Sequence, residues 1–355
     1  MSEYLRNAWQ AVNSRLAGLD FDAVWPGFQP SGFALYNRET MCLDGQMTRR
    51  DGRFFGNTAI RLHDRVIAIW TLDEEARDWD GLAASLAHEM FHAHQVTAGE
   101  SRYPNDLKLL QYPQSRRAFE LKAAENALLA EPARTGGEAL ERLSAIKALR
   151  RARRELLGEH LLQEYRAETI EGTAVYAELR ALAQLNTIQY QNRIADYRAK
   201  IGAPGQLLFD IRRCAYYTGA LLIDLAVQAG LEGFQIVGRE ERTLFELMEA
   251  GIPDAAAPVI PENDAVDAGM KEYADSVRAQ MDGFLESGPA WQETPANIAG
   301  YDPMNMVRWE DLLLIKTIVM LDTGRAGEPL TLEGPTLLQM APGSPDRALR
   351  YARQN

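Results

Sequence analysis

The 355-residue sequence predicts an α+β fold, predominantly helical, with a small β-sheet ahead of a histidine-bearing helix. Three observations predict it. Short runs of β-type residues occupy Phe33 to Asp73, a nearly unbroken helical pattern runs from about 107 to 200, and the last hundred residues mix one helix with β-like pieces. These shifts divide the chain into an N-terminal α/β segment (1–106), a helical segment (107–250) and a C-terminal α+β segment (251–355) packed on the same unit.

The elements follow in order. Residues 3–18 read as a helix closed by the turn-rich DAVWPGFQPSG, and FALYN (33–37), TAIRL (58–62) and RVIAIWTLD (65–73) read as strands, the last two joined by a His63-Asp64 turn. Asp78 or Asp80 is placed to cap the next helix and Gly99 to end it. Three helical stretches follow: AFELKAAENALLAE, EALERLSAIKALRRARRELLGE and HLLQEYRAETIEGTAVYAELRALAQL. The last contains Gly172, which costs helix stability unless something packs closely there. IGAPG (201–205) breaks the pattern, and a further apolar helix covers 206–230. IPDAAAPVIPEN (252–263) reads as a connection, 264–286 as a helix, and DLLLIKTIVMLD opens β-like pieces that end near MAPG (340–343).

Composition narrows the function classes. A net charge of −12 disfavours a nucleic-acid partner, and no apolar run approaches the ~20 residues that span a bilayer. Two cysteines make no disulfide framework, and MSEYLRNAWQAV lacks the basic and apolar regions of a secretory signal, so a cytoplasmic protein is expected.

The chemistry concentrates in SLAHEMFHAHQ (85–95), which holds three of the five histidines. Positions i and i+4 share a helix face, so His88 and His92 can aim one ring nitrogen each at a single ion. Glu89 sits about 100° further round, beside that ion and free to take a proton from water. A third ligand is needed. His94 lies on the wrong face, while His63 and His160 read as surface histidines. Glu164, Glu168, Glu171 and Glu178 fall close to one face of a later helix, where stacked like charges repel and a dication would relieve them. The small residues after Glu171 would let that helix approach the histidine helix.

In these two segments the sequence resembles the gluzincin metallopeptidases: His88-Glu89-Met90-Phe91-His92 matches their HExxH motif, and Glu171-Gly172-Thr173-Ala174 is similar to their EGxA motif. The resemblance implies a zincin-like catalytic core, Zn2+ bound by His88, His92 and Glu171, and Glu89 as general base. Glu168 and then Glu164 stand as alternatives to Glu171. The 78 residues between His92 and Glu171 imply a helical insertion at 107–158. The resemblance also points to a downstream tyrosine for the oxyanion, Tyr216 or Tyr217, with Tyr176 a weaker alternative. Arg212 or Arg213 could hold a substrate carboxylate. The basic run KALRRARREL (147–156) reads as a solvated, salt-bridged helix face.

The expectation is therefore a zinc-dependent hydrolase, a metallopeptidase with a peptide or protein substrate offered to an edge strand. No GxMEN segment is present, which prefers an endopeptidase. The alternative is a non-catalytic helical binding protein whose metal is structural or absent.

Overall fold

The computed structural model describes residues 2–72, 78–256, 258–324 and 329–354. Helix α1 (Ser2–Leu16) buries Leu5, Ala8 and Val12 on one face, and the short α2 (Phe21–Val24) is capped by Asp20, which accepts from the Ala23 amide. Five strands follow: β1 (Phe33–Tyr36), β2 (Thr40–Leu43), β3 (Gln46–Arg49), β4 (Thr58–Leu62) and β5 (Arg65–Thr71). They form one sheet in the order β3-β2-β1-β5-β4, with β1 and β5 parallel and the other pairs antiparallel. The β4–β5 hairpin turns at His63, φ 52°, where the sequence predicts it. Asp73, the last residue of the strand expected over 65–73, lies outside the described residues. The β2–β3 hairpin was not anticipated. It turns on Asp44-Gly45, both at positive φ (49° and 76°), the conformation that this dipeptide favours between strands.

Helix α3 (Trp79–Ala98) packs under this sheet against β5. Asp78 is its cap, accepting from the Gly81 amide at 3.0 Å, and Gly99 ends it at φ 80°. Asp80 instead pairs with Arg15 at 2.6 Å, tying α1 to α3. The helical segment continues as α4 (Asp106–Leu109), α5 (Arg116–Ala130), α6 (Gly136–Leu157), α7 (Glu159–Ala167), a π-turn (Glu168–Gly172), α8 (Thr173–Leu185), α9 (Thr187–Gly202), α10 (Ile211–Gln228) and α11 (Leu244–Glu249). Helix α10 begins later than the pattern suggests, because Asp210 caps it by accepting from the Arg213 amide. One apolar core joins residues from Leu5 to Val266 and includes Trp25, Phe91, Phe119, Tyr165 and Phe245.

Beyond 252–263 comes α12 (Asp264–Glu286), then β6 (Ala290–Tyr301), β7 (Met306–Trp309), β8 (Leu312–Ile315), β9 (Ile318–Asp322), β10 (Leu330–Glu333), β11 (Thr336–Met340) and β12 (Arg347–Arg353). These make an antiparallel sheet in the order β10-β9-β6-β12-β11-β8-β7. Val277, Met281 and Phe284 of α12 cover one face against Leu314, Leu337 and Ala352. The β-structure runs past 343, since β12 lies inside the sheet between β6 and β11; its small Ala348 and Ala352 among arginines disguise the alternation. Among the described residues no helix is long and apolar enough to cross a membrane.

Two packing features place the later helices. The first is a glycine-on-glycine crossing. A Cβ added to Gly172 would lie 2.6 Å from the Gly219 Cα, and one added to Gly219 would lie 2.8 Å from the Gly172 Cα. The close approach made by Gly172 itself is thus to α10, while α8, which begins at Thr173, packs on α3 as the sequence suggests. The second is a buried ionic cluster. Arg150 donates to Glu125 and Glu168, Arg153 to Glu125 and Glu164, and Lys122 to Glu164 at 2.6 Å, all essentially inaccessible to water. The basic run on α6 is therefore only half solvated: Arg151 and Arg154 are exposed, whereas Arg150 and Arg153 point inward to acids from α5, α7 and the π-turn. Burial pushes the Glu164 carboxyl up, but Arg153 and Lys122 outweigh it and hold the group well below the carboxylate range.

Gly219→Ala should lower the unfolding free energy by about 1–3 kcal/mol in a urea titration, because backbone and not a flexible side chain must move. Arg150→Met should cost about 3–5 kcal/mol in the same measurement, since it leaves two buried carboxylates short of a partner.

Candidate metal centre

His88 and His92 lie one turn apart on α3 with their Nε2 atoms 3.1 Å apart. The Glu171 Oε2 reaches His92 Nε2 at 3.3 Å from the π-turn, and the three ligand atoms all lie within 4.8 Å of one another. A tetrahedral ion with bonds of ~2.0–2.1 Å has ligand atoms roughly 3.3–3.4 Å apart, so two of these separations suit zinc as they stand. His92 and Glu171 remain partly accessible, with 17% and 8% of their side chains exposed.

The hydrogen bonds around the rings decide which nitrogens carry lone pairs. Gln95 Nε2 donates to the Ile170 carbonyl and to Thr173 Oγ1, both at 3.0 Å, and Thr173 in turn donates to the Thr169 carbonyl. The Gln95 oxygen must then accept, so the His92 Nδ1 2.8 Å away donates and Nε2 carries the lone pair. His88 Nδ1 faces Glu178 Oε2 at 3.6 Å, while the other Glu178 oxygen accepts from Arg193 at 2.5 Å. That carboxylate favours a proton on His88 Nδ1, again leaving Nε2 bare. Two lone pairs and a carboxylate oxygen then confront one another in a largely buried site, an arrangement that a proton or a cation relieves. The donor set fits a zinc ion.

The protonation pattern follows from the same geometry. Burial, with the neighbouring His92 charge, pushes His88 down to about 3. Burial opposes charge on His92 too, but Glu171 overcomes it and raises that ring to about 9. Glu171 itself would be raised by burial, yet His92 and Arg212 hold it well below the carboxylate range. Glu89, buried beside His88, is pushed up by that burial to about 7.

Helix α10 supplies the opposite wall. Arg212 donates to Glu171 Oε1 at 2.8 Å and pairs with Asp106, whose second oxygen lies 3.5 Å from the Tyr301 hydroxyl. Tyr216 stacks on His88 with ring centres 6.4 Å apart, and burial, then the Glu171 carboxylate, raise its hydroxyl well above the ordinary range, which Arg212 partly offsets. Tyr217 faces away: its ring meets Tyr197 at 4.8 Å and Lys200 at 5.3 Å, because adjacent helical residues point about 100° apart. Tyr176 is a core residue against Trp25. Arg212 is occupied by Glu171 and Asp106, and Arg213 donates to the Met304 carbonyl, so neither sits bare at the site. Glu168 and Glu164, the alternative third ligands, belong to the ionic cluster. His94 makes tilted contacts with Phe28 and Phe91, His160 meets Tyr112 edge-on, and His63 occupies its hairpin turn.

Gln95, Asp106 and the pairing of Glu178 were not anticipated. Gln95 follows His92 by three residues, a helical neighbour spacing that could have marked it; Asp106 leaves no sequence signal, as its partner lies 106 residues away. No family model matches the chain, and comparison with curated proteins and with solved structures likewise finds no match.

Gln95→Leu should weaken zinc binding by about 10–100-fold in a competitive chelator titration and lower the unfolding free energy by about 1–3 kcal/mol, because its buried bonds to Ile170 and Thr173 are lost.

Proposed function

We propose that the chain is a zinc-dependent hydrolase with a zincin-like core, a metallopeptidase that cleaves peptide bonds with water. One observation carries the reading: His88, His92 and Glu171, brought from two helices 78 residues apart in sequence, converge with lone pairs facing one another, and Glu89 stands next to them. A zinc ion held there would supply Lewis acidity and lower the pKa of water toward ~7.

The residues of the chain divide the remaining work. Glu89 takes a proton from water and passes it to the leaving amine. Tyr216, stacked beside His88, donates its hydroxyl to the developing oxyanion. Arg212 holds Glu171 at one oxygen so that the other stays turned toward His92. Gln95 fixes the tautomer of His92, and the Glu178 carboxylate 3.6 Å from His88 Nδ1 favours a proton there. Strand β4 is an edge of the first sheet and packs near α3, which offers an extended peptide a row of backbone groups beside the site.

The purified protein should hold about one zinc per chain by atomic emission, and a chelator should abolish peptide hydrolysis reversibly. His92→Ala should lose metal and activity together. Glu89→Gln should keep zinc and lose ~10²–10⁴-fold in kcat, and Tyr216→Phe should keep zinc and lose ~10²–10³-fold. A wild-type protein that takes up no zinc and retains full thermal stability without it would overturn the proposal.

A further inference from the structure

A cavity of about 370 Å³ lies between the start of α10, α12 and the residues around β7, and Asp106 and Arg212 belong to its wall. It therefore begins one side chain away from Glu171, on the far side of the Arg212 guanidinium. Its size is within the range of small-ligand sites. Its charge is unlike that of the chain, which carries 50 acidic against 38 basic residues. The acids in its wall are already engaged: Asp106 holds Arg212, and Asp210 caps α10 and faces Arg213. The cations are not matched. Arg308 donates through Nε to the Glu310 carbonyl at 3.0 Å, and the Gln111 side-chain amide lies against the same guanidinium, which selects the rotamer with its oxygen toward Arg308. Among the described residues neither Arg308 nor Lys316 has a carboxylate within 4.0 Å. The wall thus carries, among the described residues, four cationic side chains, Arg212, Arg213, Arg308 and Lys316, against two carboxylates, Asp106 and Asp210, that are both engaged.

We infer that this cavity receives a carboxylate of the substrate, an acidic side chain or the free C-terminus, held by Arg308 and Lys316 while the scissile bond lies at the metal centre. The inference deepens the metallopeptidase reading and rests on it. Guanidinium and ammonium groups in a partly dewatered concavity make charge-assisted bonds to carboxylate that a neutral amide cannot replace. The apolar wall, with Leu109, Phe209 and Val307, suits the carbon skeleton between that carboxylate and the peptide backbone.

The test compares three peptides of one sequence, a free acid, its C-terminal amide, and the amide with one internal Glu, using zinc-loaded wild type and the Arg308→Met/Lys316→Met double variant. Zinc content and thermal unfolding are recorded for both. The expected result is a roughly tenfold or larger preference in kcat/KM for a carboxylate-bearing peptide over the plain amide, about 1.4 kcal/mol, which falls to near unity in the double variant while its zinc content is unchanged. A preference for the free acid assigns the terminal carboxylate, and one for the internal Glu assigns a side chain. Hydrolysis with no acid preference, or a preference that survives in the double variant, overturns the inference and leaves the peptidase reading intact. Calorimetric binding of the same peptides separates the converse failure. Tighter binding of the acidic peptide that vanishes in the double variant, with no hydrolysis of any peptide, upholds the cavity and sinks the peptidase reading.

Discussion

One additional residue in a helical turn, the π-turn at Glu168–Gly172, organises the rest of the molecule. In an uninterrupted α-helix Glu164, Glu168 and Glu171 would crowd one face, and Glu178 would join them. The π-turn shifts everything after it by about 100°, so Glu164 and Glu168 face α5 and α6, whereas Glu171 and Glu178 face the histidines of α3. The turn also presents Gly172 to Gly219, and the absence of both side chains brings α10 close enough to deliver Arg212 and Tyr216 to Glu171.

The two groups of acids are stabilised by opposite means. Glu125, Glu164 and Glu168 meet Lys122, Arg150 and Arg153 in the interior, three charges of each sign, with hydrogen bonds on nearly every oxygen. Such a cluster adds little net stability over an apolar core, but removal of any member is expensive, so it fixes the orientation of α7 relative to α5 and α6. At the candidate metal centre the cations are fewer. Arg212 takes one oxygen of Glu171 and Arg193 one oxygen of Glu178, and the remaining oxygens are directed at imidazoles. In the first cluster the partners hold one another in their charged forms, whereas burial pushes His88 and Glu89 toward their neutral forms.

Arg212 joins this centre to the C-terminal sheet. Through Asp106 it reaches Tyr301 at the end of β6, and the cavity on its outer side is walled in part by residues around β7. The C-terminal segment thereby contributes to the surroundings of the site although none of its residues enters the cluster of His88, His92 and Glu171.

Much of this was readable from local pattern. The helix bearing His88, Glu89 and His92, its Asp78 cap and its Gly99 stop all depend on neighbours within one or two turns, and a periodicity of 3.6 records such relations directly in the chain. The β4–β5 hairpin was legible for the same reason, and the β2–β3 hairpin had a signal in Asp44-Gly45 that went unread. What the local pattern could not convey was partner choice. Arg150 and Arg153 look like any basic helix face until α5 and α7 close over them, and four glutamates at helical spacing look equivalent until the π-turn divides them. Tyr216 and Tyr217 differ by one residue, and only the position of α3 beside α10 decides which ring meets His88. The sequence alone determined the class of fold and the chemistry available on each helix, because covalent spacing sets which side chains share a face. The tertiary structure alone decided which acid meets which base, because contacts across 40 to 200 residues depend on helix rotation and approach, and a single inserted residue or a missing Cβ alters both.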